Sequence, residues 1–468
     1  MIIIYIMIFK YIRYIYQKNV FFKIKGENCY MEFLDHLLTF MTNEEANKLY
    51  NSLNSEEIHC LRLNDLKVSD IFKICKDNRG VVAHPHIPNA YIYDKSINEF
   101  GKSIYFDAGA YYIQEPAAMM SEYLLNIKEE DYVLDMCAAP GGKSFDALVS
   151  KKGRGLLVCN DIHEIRSKIL SSNIEKYGFK NVIVLNDDSS KYKKYFKGFF
   201  DKIILDAPCS GSAMFRKNEE ARSQWSLEKV YQCKAIQKSL LEDAFEMIKE
   251  NGLILYSTCS FSIQENEEVI SEFLNNHPDI EIVNIDLNKQ YNDTIGISGG
   301  LRLYPYKFNG EGQTIFILKK NETNEKSRGK EIKPARLPLE LIKFLDSIKF
   351  DYNKNDIILF KNKYYLAEFP KIELNGIKIN RYGLELGEII KDRFEPSHSL
   401  AMYHSLSKEN FIELNENEAI DYLKGLTISR EGSSGYKVAS YNSLALGWVK
   451  HVNNTLKNHY PKGLRRKP

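Results

Sequence analysis

Between Asp131 and Leu318, short apolar runs alternate with stretches whose apolar residues recur at helical spacing. The runs Tyr132–Met136, Gly155–Asn160, Val182–Leu185, Lys202–Leu205, Leu253–Ser257 and Thr314–Leu318 predict strands. Lys143–Val149, Glu164–Tyr177, Leu227–Lys249 and Glu265–Asn275 predict the helices between them. Strands buried on both faces and alternating with helices imply a parallel, doubly wound α/β sheet.

The pattern changes on either side. Residues 31–125 mix early helical periodicity with a Pro/His stretch, VAHPHIPN from Val82 to Asn89, that breaks it. Thr42 and Glu45 have the spacing of a capping box at a helix start. Lys319 to Pro334 (KKNETNEKSRGKEIKP) is charged and without apolar periodicity, which predicts a linker over residues 321–335. Short strands and turns follow over 336–468. The first thirty residues are apolar and aromatic, but Lys10 and Arg13 interrupt them well short of the roughly 20 residues that span a bilayer. They are expected to be a dispensable extension, with Met31 as the working start; an ordered first helix of the domain is the other reading. The catalytic body is then expected over 126–320.

Composition narrows the class. Lys and Arg total 64 against 62 acids, a net charge of +2, so any basic surface for a nucleic acid has to be local. The 8 cysteines are too sparse for a disulfide scaffold and no two have the C-x-x-C spacing of a zinc site. Reduced thiols in the cytoplasm are the expectation, with no metal and no membrane span.

Val133 to Ser144 reads VLDMCAAPGGKS, a strand running through a glycine turn into a helix. In an open α/β sheet a cofactor sits at this carboxyl end of the first strand. A phosphate-binding loop would need glycine where Cys137 stands, and a dinucleotide fingerprint would need glycine where Phe145 stands. A turn whose backbone amides and carbonyls hold the amino-acid end of S-adenosylmethionine is the third reading, for which a glycine pair alone is weak evidence. Asp161 follows the second strand, where an acid can meet ribose hydroxyls. Asp188 follows the third, placed for an adenine edge, and Asp187 could serve instead. Alone, each acid reads better as a helix cap or a solvated turn, but with Asp135 before the glycine turn, acids after three successive strands favour a nucleoside-bearing cofactor.

Two cysteines complete the pattern. Cys209 lies in IILDAPCSGSAMFRK and Cys259 in LILYSTCSFSIQENEEV, each just past a buried strand. A lone cysteine so placed is an ordinary small core residue, but two point to chemistry. C5 of cytosine is a poor nucleophile. A thiolate adding at C6 turns the ring into an enamine that can take a methyl group. An acid such as Asp206 near N3 would offset the charge that develops on the ring.

On these segments, together with YYIQEPAAMM (Tyr111–Met120) and RLYPYKFNGEGQTIFILKK (Arg302–Lys320), the chain resembles the RNA cytosine-C5 methyltransferases of the Nol1/Nop2/Sun type. The resemblance spans roughly Tyr111 to Lys320. It implies a Rossmann-like S-adenosylmethionine-dependent methyltransferase domain with a small N-terminal α/β domain. It also implies Cys259 as nucleophile, Cys209 in an assisting role at product release, a cofactor site at Cys137, Ala138, Ala139, Pro140, Gly141, Gly142, Lys143, Asp161, Asp188 and Asp206, and Lys143 directed at the target nucleotide. Tyr304-Pro305-Tyr306-Lys307 departs from the family, where bulkier Trp and His are common.

Pro396–Leu400 and Gly447–Arg466 resemble the C-terminal PUA-like module of the bacterial ribosomal RNA members. Tyr441, Trp448 and Tyr460 interleave there with Lys450, Lys457, Lys462, Arg465 and Arg466, a mixture suited to bases and phosphates; core aromatics beside a solvated basic tail are the other reading. The expected partner is RNA, with ribosomal RNA or the small ribosomal subunit favoured over transfer RNA, and the expected state is a monomer. A non-catalytic RNA-binding relative would be expected to have lost the thiols.

Overall fold

The computed structural model describes residues 32–285, 287, 291, 294–321 and 329–467. The N-terminal extension and residues 322–328 of the linker lie outside the described residues. The chain divides into two compact units. One holds the residues up to Ile58 with Leu205–Glu242 and Leu255–Asn321; the other holds His59–Ile204, Asp243–Ile254 and Glu322–Pro468.

The larger unit carries the first half of the doubly wound pattern. Strand β1 (Tyr132–Asp135) leads into helix α1 (Gly142–Lys151), β2 (Leu156–Asn160) into α2 (Glu164–Tyr177), and β3 (Val182–Leu185) precedes β4 (Phe200–Asp206). The strand order is β4-β1-β2-β3, all parallel. Every residue of β2 and β3 is buried, as continuous apolar runs require. One strand was not foreseen. Ile379–Tyr382, from beyond the linker, pairs antiparallel with β3 and closes its edge.

The same unit contains three further sheets. Residues 59–113 supply a four-stranded sheet in the order Val81–Ala83, Ala90–Tyr93, His59–Leu63, Tyr111–Ile113. Residues 357–396 form a second antiparallel sheet, and residues 411–458 a five-stranded one. Their hairpins turn on residue pairs with positive φ, among them Asn442-Ser443 and Asn453-Asn454, as two-residue loops between right-twisted strands require. Leu61, Leu63 and Tyr111 share one apolar core with Tyr422, Leu446 and Tyr460, so the strands of residues 59–113 and the C-terminal region fold against each other.

The smaller unit begins with a helix over residues 32–38 and a second, Asn43–Ser52. The anticipated capping box is present, with Thr42 and Glu45 exchanging bonds. Helix α3 (Leu227–Met247) starts in this unit and passes directly into β5 (Ile248–Thr258), two residues before the helix was expected to end. Helix α4 (Glu267–Asn276), β6 (Ile280–Ile282), β7 (Leu301–Leu303) and β8 (Gln313–Lys320) follow. The order here is β6-β8-β5, with β6 and β7 antiparallel to β8. Phe33, Leu37 and Leu49 pack with Phe215, Trp225, Phe261 and Tyr304. This cluster brings the N-terminal helices against the segments that follow β4 and β5.

Candidate active site

In the smaller unit, the loops after β4 and β5 bring Cys209 and Cys259 together. Their Sγ atoms lie 2.8 Å apart. Backbone bonds fix the approach: Ala207 N donates to Ser257 O at 2.8 Å, and Ala213 N to Cys259 O at 2.9 Å. The bond to Cys259, with burial, pushes the Cys209 thiol well above the ordinary thiol range. Asp206 stands at the end of β4, and its Oδ1 accepts from Ser257 Oγ at 2.8 Å and Gln313 Nε2 at 2.9 Å. The predicted trio of Cys209, Cys259 and Asp206 is thus one cluster of this unit.

A second layer beneath the cysteines was not read from the sequence. Glu265, fully buried, accepts from the backbone N of Ser210 at 2.7 Å and from its Oγ at 2.6 Å. It also accepts from Ser260 Oγ and from Gln237 Nε2. Asn266 donates to the carbonyls of Ser260 and Ser262 at 2.9 and 2.8 Å, and its Oδ1 accepts from Thr258. Glu267 pairs with Arg302. The Glu-Asn-Glu triplet therefore ties down the Thr-Cys loop residue by residue. Its only signal in the sequence is three polar residues opening an apolar helix, which reads more simply as a solvated helix start. In the departing segment, Tyr304 is buried and packs on Phe261, two residues past Cys259, with Tyr306 stacked on it at 5.4 Å.

In the larger unit, the turn after β1 is built as the motif suggests. Ser144 Oγ donates to Asp135 at 2.6 Å, fixing the start of α1 to the end of β1. Gly141 caps α1 at φ +112°, where a Cβ would meet Leu170 Cδ1 at 2.9 Å. A Cβ on Gly142 would run into the Gln114 amide, at 2.8 Å. The carbonyls of the turn are held from α2: Arg166 donates to Ala139 O at 2.6 Å and Asn173 to Pro140 O at 2.9 Å. Ala138 N donates to Asn160 O at 2.8 Å. Cys137 is half-buried and Lys143 is buried at the second position of α1, its ammonium helping to offset the buried Asp146.

Asp161 ends β2, nearly buried. Its Oδ1 accepts from His163 N at 2.9 Å and its Oδ2 faces Arg166 at 3.3 Å. The two acids after β3 separate clearly. Asp188 is exposed and caps the short helix Ser189–Tyr192 through Ser190 N. Asp187 is buried; burial works against its charge, but bonds from Lys191 and from the backbone of Asp188 and Lys378 hold its carboxyl below the usual range. This donor set suits S-adenosylmethionine. The helix N-terminus offers amides to a carboxylate, glycines at the turn leave room that a side chain would fill, and a carboxylate at the end of β2 suits hydroxyls. Gln114, Arg166 and Asn173 are the supporting residues that the sequence did not single out.

The C-terminal aromatics correct one expectation. Trp448 and Tyr460 are 2% and 5% exposed, and Trp448 Nε1 donates to Ser397 O at 2.7 Å. They are core residues, which leaves half-buried Tyr441 as the one of the three that can meet a base. Lys457 and Lys462 are exposed, while Arg466 pairs with Asp107, at the end of the short helix Ile104–Asp107. Among the described residues, no helix is long and apolar enough to cross a membrane, and no group of three or more His, Cys, Asp or Glu side chains could hold a metal ion.

Known proteins share this organisation. Residues 122–319 match the family model "16S rRNA methyltransferase RsmB/F". Residues 31–116 match the N-terminal domain of 16S rRNA methyltransferase RsmF, residues 343–403 its first C-terminal domain, and residues 409–466 its PUA domain. The ribosomal RNA small subunit methyltransferase F of Shewanella piezotolerans is 30% identical over 388 residues, 78% of this chain and 81% of that protein. That of Vibrio atlanticus is 28% identical over 462 residues, 93% and 97% of the two chains. Among solved structures, a methyltransferase homolog from Pyrococcus horikoshii is 27% identical with a TM-score of 0.53, covering 62% of this chain and 98% of that one.

Proposed function

The chain belongs to the 16S rRNA methyltransferase RsmB/F family, and from that membership we propose the course of its reaction and the roles of its residues. It is an S-adenosylmethionine-dependent enzyme that methylates C5 of cytosine in ribosomal RNA.

When bound, S-adenosylmethionine supplies an electrophilic methyl group. The thiolate of Cys259 adds to C6 of the cytosine, and the displaced electron pair enters the ring, where Asp206 offsets its charge near N3. The addition leaves C5 nucleophilic toward the methyl group that bound S-adenosylmethionine would supply. The C5 proton then passes to solvent, and the thiolate of Cys259 leaves with the electron pair of the C6–S bond. Cys209, which keeps its proton, donates its S–H to the sulfur of Cys259 and stabilises that thiolate before attack and on departure. The observation that carries this reading is the 2.8 Å separation of the two sulfurs.

The turn from Cys137 through Gly142 holds the amino-acid end of the cofactor, Asp161 takes the ribose hydroxyls, and Asp188 or Asp187 meets the adenine edge. Lys143 is directed at the target nucleotide. The C-terminal module docks the RNA through its exposed lysines and Tyr441. The enzyme acts as a cytoplasmic monomer without a metal, on the RNA of the small subunit.

Purified protein incubated with methyl-labelled S-adenosylmethionine and, separately, naked 16S RNA, isolated small subunits and transfer RNA tests this function. Label is expected in 5-methylcytidine of the ribosomal substrate. Label in transfer RNA alone would overturn the substrate assignment, and label in another nucleoside would overturn the reaction.

A further inference from the structure

Glu265 touches neither sulfur, yet its carboxylate binds the residue after each. Ser210 follows Cys209 and gives Glu265 both its backbone N–H, at 2.7 Å, and its hydroxyl, at 2.6 Å. Ser260 follows Cys259 and gives its hydroxyl to the same oxygen that Ser210 Oγ uses. The two hydroxyls are 3.1 Å apart. Gln237 on α3 completes the group, donating to Glu265 at 3.2 Å and to the carbonyl of Pro208, the residue before Cys209, at 2.9 Å. Tyr256 on β5 donates its hydroxyl to the backbone carbonyl of Glu265. The side chains of Glu265, Ser210, Ser260 and Gln237 are all buried.

The chemistry of this group is one-sided. Four donors converge on two carboxylate oxygens, and Glu265 meets all of them as acceptor; burial pushes its carboxyl up, and the bonds from Ser210, Ser260 and Gln237 oppose that rise. A buried carboxylate so held is rigid, because a donor that loses it is left unsatisfied. The two cysteine loops come from different strands, and backbone bonds bring them together. A single carboxylate fastened to the residue after each cysteine adds a side-chain tie between them.

We propose that Glu265 is a positioning residue that holds Cys209 and Cys259 at hydrogen-bonding distance and so couples addition to release. The inference rests on the reading of the two thiols given above. Each arm of the clamp then has its own consequence. The Ser260 arm aims the sulfur that forms the C6–S bond. The Ser210 arm keeps the Cys209 S–H on that sulfur when the bond breaks and the electron pair returns to it.

The test uses the full-length enzyme with small-subunit RNA and methyl-labelled S-adenosylmethionine. It measures kcat, KM for the cofactor, the fraction of enzyme in a denaturant-stable protein–RNA adduct, and the thermal midpoint. Glu265→Gln turns one acceptor oxygen into a donor facing donors, and kcat is expected to fall by about 100-fold with KM for S-adenosylmethionine held within about threefold. Glu265→Asp is expected to recover part of the rate. The milder variants separate the arms: Ser210→Ala raises the adduct fraction, whereas Ser260→Ala lowers it. These opposite shifts are what general destabilisation would not produce. Wild-type turnover by Glu265→Gln, or parallel adduct fractions in folded Ser210→Ala and Ser260→Ala, would overturn the inference. Cys259→Ala is run beside them. If it still forms 5-methylcytidine, the cysteine reading and this inference fall together; if it is inactive while Glu265→Gln is normal, this inference falls alone.

Discussion

Arg302 and Glu267 form a fully buried bidentate ion pair, Nε to Oε1 at 2.7 Å and Nη2 to Oε2 at 2.6 Å. The third donor of Arg302, Nη1, reaches the carbonyl of Phe261 at 2.8 Å, two residues beyond Cys259. The pair thus joins β7, α4 and the Thr-Cys loop. Removing one partner leaves a buried charge uncompensated, which costs about 3–5 kcal/mol. Arg302→Met is expected to lower the stability measured by urea unfolding by that amount. The double variant Arg302→Met/Glu267→Gln is expected to recover part of it. Additive losses would show that the two side chains do not act as a pair.

Asp206 is oriented by Ser257 and Gln313, both bonded to one oxygen. If it offsets charge on the ring, Asp206→Asn lowers kcat by about 100- to 1,000-fold. Gln313→Ala, which only frees the carboxylate to turn, lowers it by about tenfold. Steady-state kinetics on the ribosomal substrate check both. A Gln313→Ala loss as large as that of Asp206→Asn would mean that Gln313 itself meets the substrate.

Gly141 adopts φ +112°, a region that an L side chain enters at a cost of about 1–3 kcal/mol. Its Cβ would also press on Leu170. Gly141→Ala is expected to weaken S-adenosylmethionine binding by about tenfold or more, measured by calorimetry on the folded protein. Unchanged affinity would remove this turn from the cofactor site.

His36 and His84 are buried, and burial lowers each imidazole from its ordinary 6.5 to about 4. Glu268 opposes the shift at His36, and His86 adds to it at His84. Well above pH 6.5 both rings are neutral in the folded and unfolded chain and contribute nothing to the pH dependence. As pH falls from 6.5 towards 4, the unfolded chain binds protons that the folded one excludes, so stability falls and then levels off. At pH 5 the loss is roughly 1–2 kcal/mol per site relative to pH 7.5. His84 Nδ1 accepts from the backbone of His86 and Ile87. His84→Asn keeps an acceptor without the titration and is expected to shrink the difference between urea midpoints at the two pH values. An undiminished difference would assign the pH dependence to other groups.

The parts of this molecule that were legible in its sequence are those whose cause is local. Val182–Leu185 reads as a strand because four consecutive apolar residues are buried on both faces. The Gly141 turn reads as a ligand turn because backbone conformation is written in residue type. Cys209 and Cys259 are legible because each stands just past a strand. What was missed depends on partners far away in the chain. Glu265 looks like a solvated acid until Ser210, 55 residues earlier, is seen to bind it. Ile379–Tyr382 shows no sign in its own residues that its pairing partner is β3. Trp448 and Tyr460 look like base-stacking residues beside cations, yet Ser397 and the shared core claim them. Asp187 and Asp188 differ only in what the fold puts against them.

The central claim is that Cys259 forms the covalent bond to C6 and Cys209 assists its breakage. The most direct measurement is denaturing gel analysis of protein–RNA adducts, with nucleoside analysis of the same reactions, for wild type, Cys259→Ala and Cys209→Ala. The account predicts no adduct and no 5-methylcytidine with Cys259→Ala, and an accumulated adduct with Cys209→Ala. An adduct that survives Cys259→Ala and disappears in Cys209→Ala would contradict it and exchange the two roles.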